Sequence, residues 1–191
     1  MAMKAYPDRD PMSPDDPSCS DISHIGDHSD APGHLPPCIA GGFEVRVQHQ
    51  ALDIEAEVAP IIRNPNIGAV VNFIGVVRQC GDIDDVVALE IEHYPGMTEQ
   101  SLWGLLEEAI ARWQVDAVKI VHRVGRIALG HPVVLVVVAA PHRAAAFDAC
   151  EFLMDLLKTQ APFWKKEIRR DGTCEWVEAK SRDDSATERW G

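Results

Sequence analysis

The chain changes direction at residues 155–167, where it reads Asp155-Leu-Leu-Lys-Thr-Gln-Ala-Pro-Phe-Trp-Lys-Lys-Glu167. This stretch ends a long amphipathic helix and breaks it at Pro162, because proline cannot continue a helix. Lys158 and Lys165 flank the turn, which also carries two aromatic rings. A single lysine is ordinarily a solvated charge on an apolar stem. Two lysines on either side of a rigid aromatic turn form a candidate functional feature.

The long helix before this turn is predicted over about residues 142–160. At about 100° per residue, one face collects several side chains. They are Arg143, Phe147, Cys150, Met154 and Lys158. The cations at the two ends of this stripe lie about 22 Å apart, at about 1.5 Å per residue. One small anion cannot contact both ends in one subunit, so we predict a homodimer in which a second copy completes the site.

A second candidate lies where a predicted strand meets the start of this helix, at Pro141-His142-Arg143. Helix N-termini attract anions; arginine offers a bidentate fork, and histidine a titratable donor. The alternative is a capping His142 and a solvated Arg143. Arg78 follows another predicted strand and is a candidate of the same kind, with a plain surface arginine as its alternative.

Strand and helix patterns alternate along the rest of the chain. Period-2 alternation marks strands, and apolar residues three to four apart mark helices. Together they predict an α+β fold that ends in a hairpin. The predicted elements are an edge strand at Phe43–His49, a short helix from a cap at Asp53 to about Arg63, a strand at Gly68–Arg78 with a bulge at Gly75, a strand at Val86–Tyr94, a helix capped by Thr98 and ending near Trp113, a strand at Val115–Val124, a turn at Gly125–Gly130, a strand at Pro132–Ala140 covered on both faces, hairpin strands Trp164–Arg170 and Cys174–Ala179 joined at Asp171-Gly172, and a polar C-terminus that frays or forms a short helix.

Residues 1–41 differ in composition from the rest. They hold seven of the 13 prolines, and seven aspartates against Lys4 and Arg9. Such a segment has too little apolar surface to offset the entropy of ordering it. We predict a disordered, acidic, Pro-rich extension over 1–41 and a globular domain over 42–191. The His and Cys residues of the extension follow no recognised metal-ligand spacing.

Composition excludes several classes of protein. The net charge of −12 argues against nucleic acid as a partner. The longest apolar run, Val133–Ala140, is too short to span a membrane, and no secretory signal precedes the domain. The five cysteines are widely spaced without a C-x-x-C pair, a pattern typical of reduced thiols. We therefore expect a soluble, cytoplasmic protein.

Other reactive residues have ordinary explanations. Strand alternation directs His93 away from Glu90 and Glu92, which argues against a metal site there. Cys150 lies among apolar neighbours and is expected in the core. No phosphate-binding loop, dinucleotide fingerprint or nucleophile elbow is present. The sequence therefore predicts neither a metal nor a bound cofactor.

Five ordered motifs together resemble one family, the catalytic (large) subunit of molybdopterin synthase. The similarity spans about residues 43–190. The motifs are Gly68-Ala-Val-Val-Asn-Phe-Ile-Gly-Val-Val-Arg78, Leu89-Glu-Ile-Glu-His-Tyr-Pro-Gly-Met97, His122-Arg-Val-Gly125, His142-Arg143 and Leu157-Lys-Thr-Gln-Ala-Pro-Phe-Trp-Lys-Lys-Glu167.

The resemblance implies an α/β hammerhead-type core with an additional small antiparallel β subdomain. It implies a sulfurtransferase that acts as a central homodimer within a heterotetramer. A small ubiquitin-like carrier would insert its C-terminal Gly-Gly thiocarboxylate, and its sulfur would convert cyclic pyranopterin monophosphate into the dithiolene of molybdopterin.

The resemblance also implies roles for individual residues. Two lysines match catalytic residues near the carrier tail, three residues match a phosphate-binding group shared between protomers, and two match the lining of the pocket. The catalytic lysines are Lys158 and Lys165, the phosphate-binding group is Arg78, His142 and Arg143, and the pocket-lining residues are Phe73 and Met154. Lys166 is then a neighbour without an assigned role.

Alternatives remain open at this point. A lysine is protonated at pH 7 unless burial or a nearby cation lowers its pKa, so Lys158 is an acid/base group, a covalent partner or a charged clamp. Two alternative functions for the whole chain also remain: a non-catalytic homodimer that binds the carrier, or an enzyme that acts on another phosphorylated metabolite.

Overall fold

The computed structural model describes residues 42–79, 85–177 and 188–190. The predicted N-terminal extension and most of the polar loop at residues 80–85 lie outside the described residues. In chain order the elements are β1 (Phe43–Gln48), α1 (Ile54–Ile62), β2 (Ala69–Val76), β3 (Val86–His93), α2 (Met97–Arg112), β4 (Ala117–Arg123), β5 (Gly125–Ala128), β6 (Pro132–Ala140), α3 (Arg143–Gln160), β7 (Phe163–Arg169), β8 (Cys174–Trp176) and a 3₁₀ helix (Glu188–Trp190).

The first sheet has the strand order β1-β4-β6-β2. β1 runs parallel to β4, and the other pairs are antiparallel. α2 and α3 pack on one face against Val136 and Val138 of β6, while α1 covers Leu135 and Val137 on the other face. The predictions that β1 is an edge strand and that β6 is covered on both faces are confirmed.

The second sheet is antiparallel, with the order β5-β3-β7-β8. It contains the predicted hairpin, in which Gly172 takes a φ of 84°. A small apolar cluster that includes Ile91 and Ile127 joins it to the first sheet. The α+β class is confirmed.

The prediction of a turn at Gly125–Gly130 is wrong. Gly125 takes a φ of 78°, which lets the chain pass directly from β4 into β5. A Cβ on Gly125 would lie 2.9 Å from Nδ1 of His49, so a side chain does not fit there. Ile127 of β5 pairs with Leu89 of β3 and is fully buried. A four-residue strand shows too little alternation to be recognised in the sequence.

Of the two predicted helix caps, one is confirmed and the other is wrong. Asp53 caps α1 as predicted, accepting a hydrogen bond from the Ala56 N–H at 3.0 Å. Thr98 is not the cap of α2, because the helix begins at Met97 after Gly96. The Thr98 hydroxyl accepts from the Tyr94 N–H at 3.2 Å and donates to the Pro162 carbonyl at 3.4 Å. Thr98 therefore joins the start of α2 to the turn that follows α3.

Two smaller predictions are also confirmed. The register of β2 against β6 shifts between Gly75 and Val76, at the predicted bulge. The C-terminus forms the 3₁₀ helix, and Trp190 packs edge-on against Trp113 and Phe152. The last residues of the described chain thereby cover the open end of the α2–α3 layer.

A charge network holds α1 on the first sheet. Glu57 of α1 binds Arg46 of β1 and Lys119 of β4, the latter at 2.8 Å. Lys119 also contacts Glu44 at 3.1 Å. Burial opposes ionisation of Glu57, but the hydrogen bonds from Lys119 and Arg46 outweigh it and hold its pKa below the ordinary value of 4.5. The network therefore stabilises the fold only while Glu57 is ionised.

We expect Glu57→Gln to lower the free energy of unfolding at pH 7 by roughly 1–2 kcal/mol, between the values for exposed and buried ion pairs. Because the folded state lowers the pKa of Glu57, its contribution is present above pH 4.5 and is lost as pH falls through the folded pKa. Urea denaturation at several pH values measures both effects. Glu55→Gln, at an exposed position on the same helix, is the control. Equal effects of the two variants at pH 7 would contradict the prediction.

Candidate active site

Helix α3 begins at Arg143, with His142 at its N-cap, and ends at Gln160. Two members of the predicted stripe are core, since Cys150 is 5% exposed and Met154 is 9% exposed, whereas Phe147 is 60% exposed. Arg143 and Lys158, at the two ends, are exposed. The stripe is therefore an apolar strip with one accessible cation at each terminus.

The strand register shows which predicted site residues share an end of the molecule. Ala69 at the start of β2 pairs with Ala140, two residues before His142. The other end of β2 pairs with the start of β6 and leads to Arg78. α3 packs back along β6 and β2, which brings Lys158 to the Arg78 end. Within one protomer, Arg78 and Lys158 share one end, and His142 and Arg143 lie at the other.

Phe73 and Met154 lie between these two ends. Phe73 is 39% exposed on β2, at the edge of the first sheet. The Phe73 backbone hydrogen-bonds with Cys150 of α3, and Met154 follows Cys150 by one helical turn. The residues predicted to line a pocket therefore lie on neighbouring surfaces of β2 and α3.

The turn between α3 and β7 is fixed to the first turn of α2. Besides the bond from Thr98 to the Pro162 carbonyl, the Ser101 hydroxyl donates to the Gln160 carbonyl at 3.3 Å. The Phe163 N–H donates to the Ala161 carbonyl at 2.8 Å. These contacts fix the end of α3, near Lys158, and the start of β7.

The adjacent lysines of β7 point to opposite faces of the second sheet. Lys166 pairs with Glu90 in the register, contacts Glu92 at 2.5 Å and lies 4.2 Å from the centre of the Trp176 ring. Lys165 pairs with the buried Ile91. It is partly buried on the face that turns towards the first sheet.

An aromatic stack lies on the same face of β7 as Lys165. The Phe163 ring stacks on His122 of β4, with ring centres 3.8 Å apart and planes 16° apart. His93 of β3 packs on Phe163 more loosely, at 6.5 Å. The motif His122-Arg-Val-Gly125 contributed to the family resemblance, but sequence reasoning assigned His122 no role.

His122 is buried and electrically neutral. It is 2% exposed, and burial lowers its pKa to about 3, with the charges of Lys165 and His93 acting in the same direction. Its Nδ1 lies 2.9 Å from the Arg123 carbonyl. A carbonyl only accepts, so Nδ1 carries the proton. The ring therefore adds no positive charge beside Lys165.

The thiol of Cys150 is a poor nucleophile. Burial raises its pKa to about 11, and the nearby Glu151 adds to the effect. A thiol that stays protonated at neutral pH does not attack an electrophile efficiently. Cys150 is a core residue, as predicted.

The acids of β3 and His93 point in different directions, as the alternation predicted. Glu90 pairs with Lys166, whereas His93 pairs with Phe163. Burial raises the pKa of Glu90, although the charge of Arg126 opposes it. Among the described residues, no three His, Cys, Asp or Glu side chains come close enough to hold a metal. No helix in the same part of the chain has the length and apolar character to cross a membrane.

We expect His122→Phe to weaken the dependence of stability on pH. Because the folded state lowers the pKa of His122 to about 3, its neutral burial contributes fully above pH 6.5 and progressively less as pH falls. Between pH 7 and pH 5 this loss amounts to about 2 kcal/mol in the wild type and is absent in the variant. Urea denaturation at both pH values measures it. His131→Gln, at an exposed position, should behave as wild type; an unchanged pH dependence in His122→Phe would contradict the prediction.

Comparisons with a family model and with individual relatives agree on one protein family. A family model described as MoaE protein matches residues 47–160. The molybdopterin synthase catalytic subunit of Ralstonia nicotianae is 47% identical over 148 residues, which cover 77% of this chain and 84% of the relative. That of Pseudomonas aeruginosa is 48% identical over 147 residues, covering 76% of this chain and 97% of the relative.

Solved structures are similar over the same region. The molybdopterin biosynthesis MoaE protein from Burkholderia ambifaria matches with a TM-score of 0.65 and 51% identity, covering 78% of this chain and 97% of that one. A molybdopterin synthase from Staphylococcus aureus matches with a TM-score of 0.64 and 32% identity, covering 69% and 95%. A complex of subunits 1 and 2 of the Helicobacter pylori molybdopterin-converting factor, at 22% identity and a TM-score of 0.58, shares the fold.

The family match covers more than half of this chain, and the relatives are matched over most of their own lengths. It includes α3 with both of its terminal cations. The chain therefore belongs to the MoaE protein family, the family of molybdopterin synthase catalytic subunits.

Proposed function

We propose that this chain transfers sulfur from the C-terminal thiocarboxylate of a small ubiquitin-like carrier to cyclic pyranopterin monophosphate, forming the dithiolene of molybdopterin. The observation that carries the proposal is that Arg78 and Lys158 share one end of a chain of this family, in which Lys165 lies three residues beyond the Pro162 turn that follows α3. The relatives are named catalytic subunits, which implies at least one further subunit. That subunit is the carrier.

The charge of the site fits an anionic carrier tail. The protein has a net charge of −12, so an anion must be held by local cations against the overall field. Lys158 and Lys165 flank a turn that two hydrogen bonds to the start of α2 hold in place. A Gly-Gly thiocarboxylate is narrow and negatively charged, and it suits such a slot. We place this reaction in the cytoplasm.

The sulfur nucleophile belongs to the carrier. Cys150, the thiol on the same helix as Lys158, is buried with a raised pKa. Two sulfur transfers build the dithiolene. In each, the carrier's sulfur forms a bond to a side-chain carbon of the pterin as a C–O bond of that carbon breaks, one breakage opening the cyclic phosphate and the other releasing water. Water then hydrolyses the resulting thioester, which leaves the sulfur on the pterin and releases the carrier as a carboxylate. The lysines hold the anions and supply or accept protons on the way.

A second copy of the chain completes the phosphate site. His142 and Arg143 lie at the far end of α3, about 22 Å from Lys158 along the helix. In the described chain, β2 is an edge strand whose Phe73, Ile74 and Val76 are exposed. This apolar edge suits an interface between two copies. A homodimer with one carrier at each end gives a heterotetramer.

In an assay with a thiocarboxylated carrier and cyclic pyranopterin monophosphate, we expect the wild type to form the dithiolene product. Lys165→Gln should lower the rate at least about 100-fold, since it removes a positioned cation from the reacting groups. Lys166→Gln is the matched control, because it changes the neighbouring lysine on the opposite face. Breaking its ion pair with Glu92 should leave the rate within about threefold. Absence of wild-type product, where a known synthase is active, would refute the function, and equal losses would refute the role of Lys165.

We expect Arg143→Ala and Lys158→Ala proteins, each inactive alone, to recover activity when mixed. In a mixed dimer, one of the two sites has both residues intact, so equal mixing with free exchange restores about a quarter of the wild-type rate. The same assay measures it after subunit exchange. Mixing Lys158→Ala with Lys165→Gln is the control and should restore nothing, because both residues come from the same protomer. Failure of the first mixture to exceed its parents would show that each site is self-contained.

A further inference from the structure

The aromatic stack beneath β7 has no part in the sulfur chemistry proposed above. It is formed by His122 of β4 and Phe163, the first residue of β7. Ring centres 3.8 Å apart with planes 16° apart are in direct face contact. The stack therefore joins the two sheets at the point where the chain leaves the Pro162 turn.

A hydrogen bond and burial fix the orientation of the His122 ring. Nδ1–H donates to the Arg123 carbonyl at 2.9 Å, and the ring is 2% exposed. A buried planar ring that is hydrogen-bonded to the carbonyl of the next residue has little freedom to rotate. Phe163 consequently packs on a surface of fixed position.

The stack lies next to Lys165. Phe163 and Lys165 are two residues apart on one strand, so their side chains leave the same face. The charge of Lys165 is close enough to His122 to affect its ionisation. A displacement of Phe163 would therefore shift the backbone from which Lys165 extends.

We propose that His122 is a positioning residue for Lys165 and acts through Phe163. The proposal rests on the proposed catalytic role of Lys165. The neutral, stacked imidazole holds the start of β7 in register and gives Lys165 one fixed approach to the site. It does so without placing a second positive charge beside the lysine.

Two substitutions separate the stack from the hydrogen bond. His122→Phe keeps an aromatic ring against Phe163 and removes the N–H donor. His122→Asn removes the ring and keeps an amide N–H near the position of Nδ1. We expect His122→Asn to lower kcat about tenfold or more with an unchanged KM for the carrier, because small displacements of a catalytic group affect chemistry more than binding. His122→Phe should stay within about threefold of wild type.

Lysine labelling tests the same link without any enzymatic activity. Under limiting acetic anhydride, mass spectrometry gives the acetylation of Lys165 relative to Lys158. Loss of the stack exposes the partly buried Lys165, so this ratio should rise at least threefold in His122→Asn and in Phe163→Leu, and stay at the wild-type value in His122→Phe. Phe163→Leu approaches the stack from its other side and provides the result if His122→Asn does not fold. A wild-type ratio in the variants that lack the stack would overturn the proposal.

A double substitution shows whether His122 acts through Lys165. If it does, adding His122→Asn to Lys165→Gln leaves the residual single-turnover rate unchanged. A further loss of tenfold in the double variant would overturn the proposal. If the wild type forms no product, the proposed function fails, while the labelling ratio still decides whether His122 positions Lys165.

Discussion

The antiparallel pairing of β3 with β7 is the constraint on which the proposed site depends. It places Lys165 opposite Ile91 and Lys166 opposite Glu90. A slip of one residue would exchange the faces of the two lysines, because side chains alternate along a strand. The register is held from three sides: the stack on His122, the bond from Thr98 to the Pro162 carbonyl, and the contact of Lys166 with Glu92. Because the other two contacts remain when Lys166 is replaced, the register does not depend on Lys166 alone.

The length of α3 explains how an acidic protein can present cations at two separate places. One cation is placed at each end of α3, and the apolar strip between them packs on β2 and β6. Separating the cations reduces their mutual repulsion in the isolated chain. The arrangement leaves each end incomplete for a substrate with both a phosphate and a reacting carbon. In the homodimer proposed above, pairing two copies would bring unlike ends together without placing all the cations in one chain.

Local patterns predicted the elements whose signals are local. The cap at Asp53, the long helix ending at Gln160 and the hairpin at Asp171-Gly172 follow from neighbouring residues. β5 and the role of Thr98 do not, since β5 is too short to show a period and the Thr98 hydroxyl bonds a carbonyl 64 residues away. The site was predictable only in part for the same reason. The sequence indicates candidate cations, but the sheet order β1-β4-β6-β2 decides that Arg78 lies with Lys158 and not with Arg143.

The choice of histidine at position 122 follows from two demands that no other side chain meets together. The position needs a flat ring face for Phe163 and a donor for the Arg123 carbonyl. Phenylalanine supplies only the ring, asparagine supplies only the donor, and tryptophan and tyrosine place their polar atom too far from the backbone. Histidine supplies both while neutral, and burial keeps it neutral across the physiological range by lowering its pKa to about 3. As a result, the folded state loses stability in acid, where His122 tends to become protonated. In return, the neutral ring supports the strand beside Lys165 without adding charge to the site.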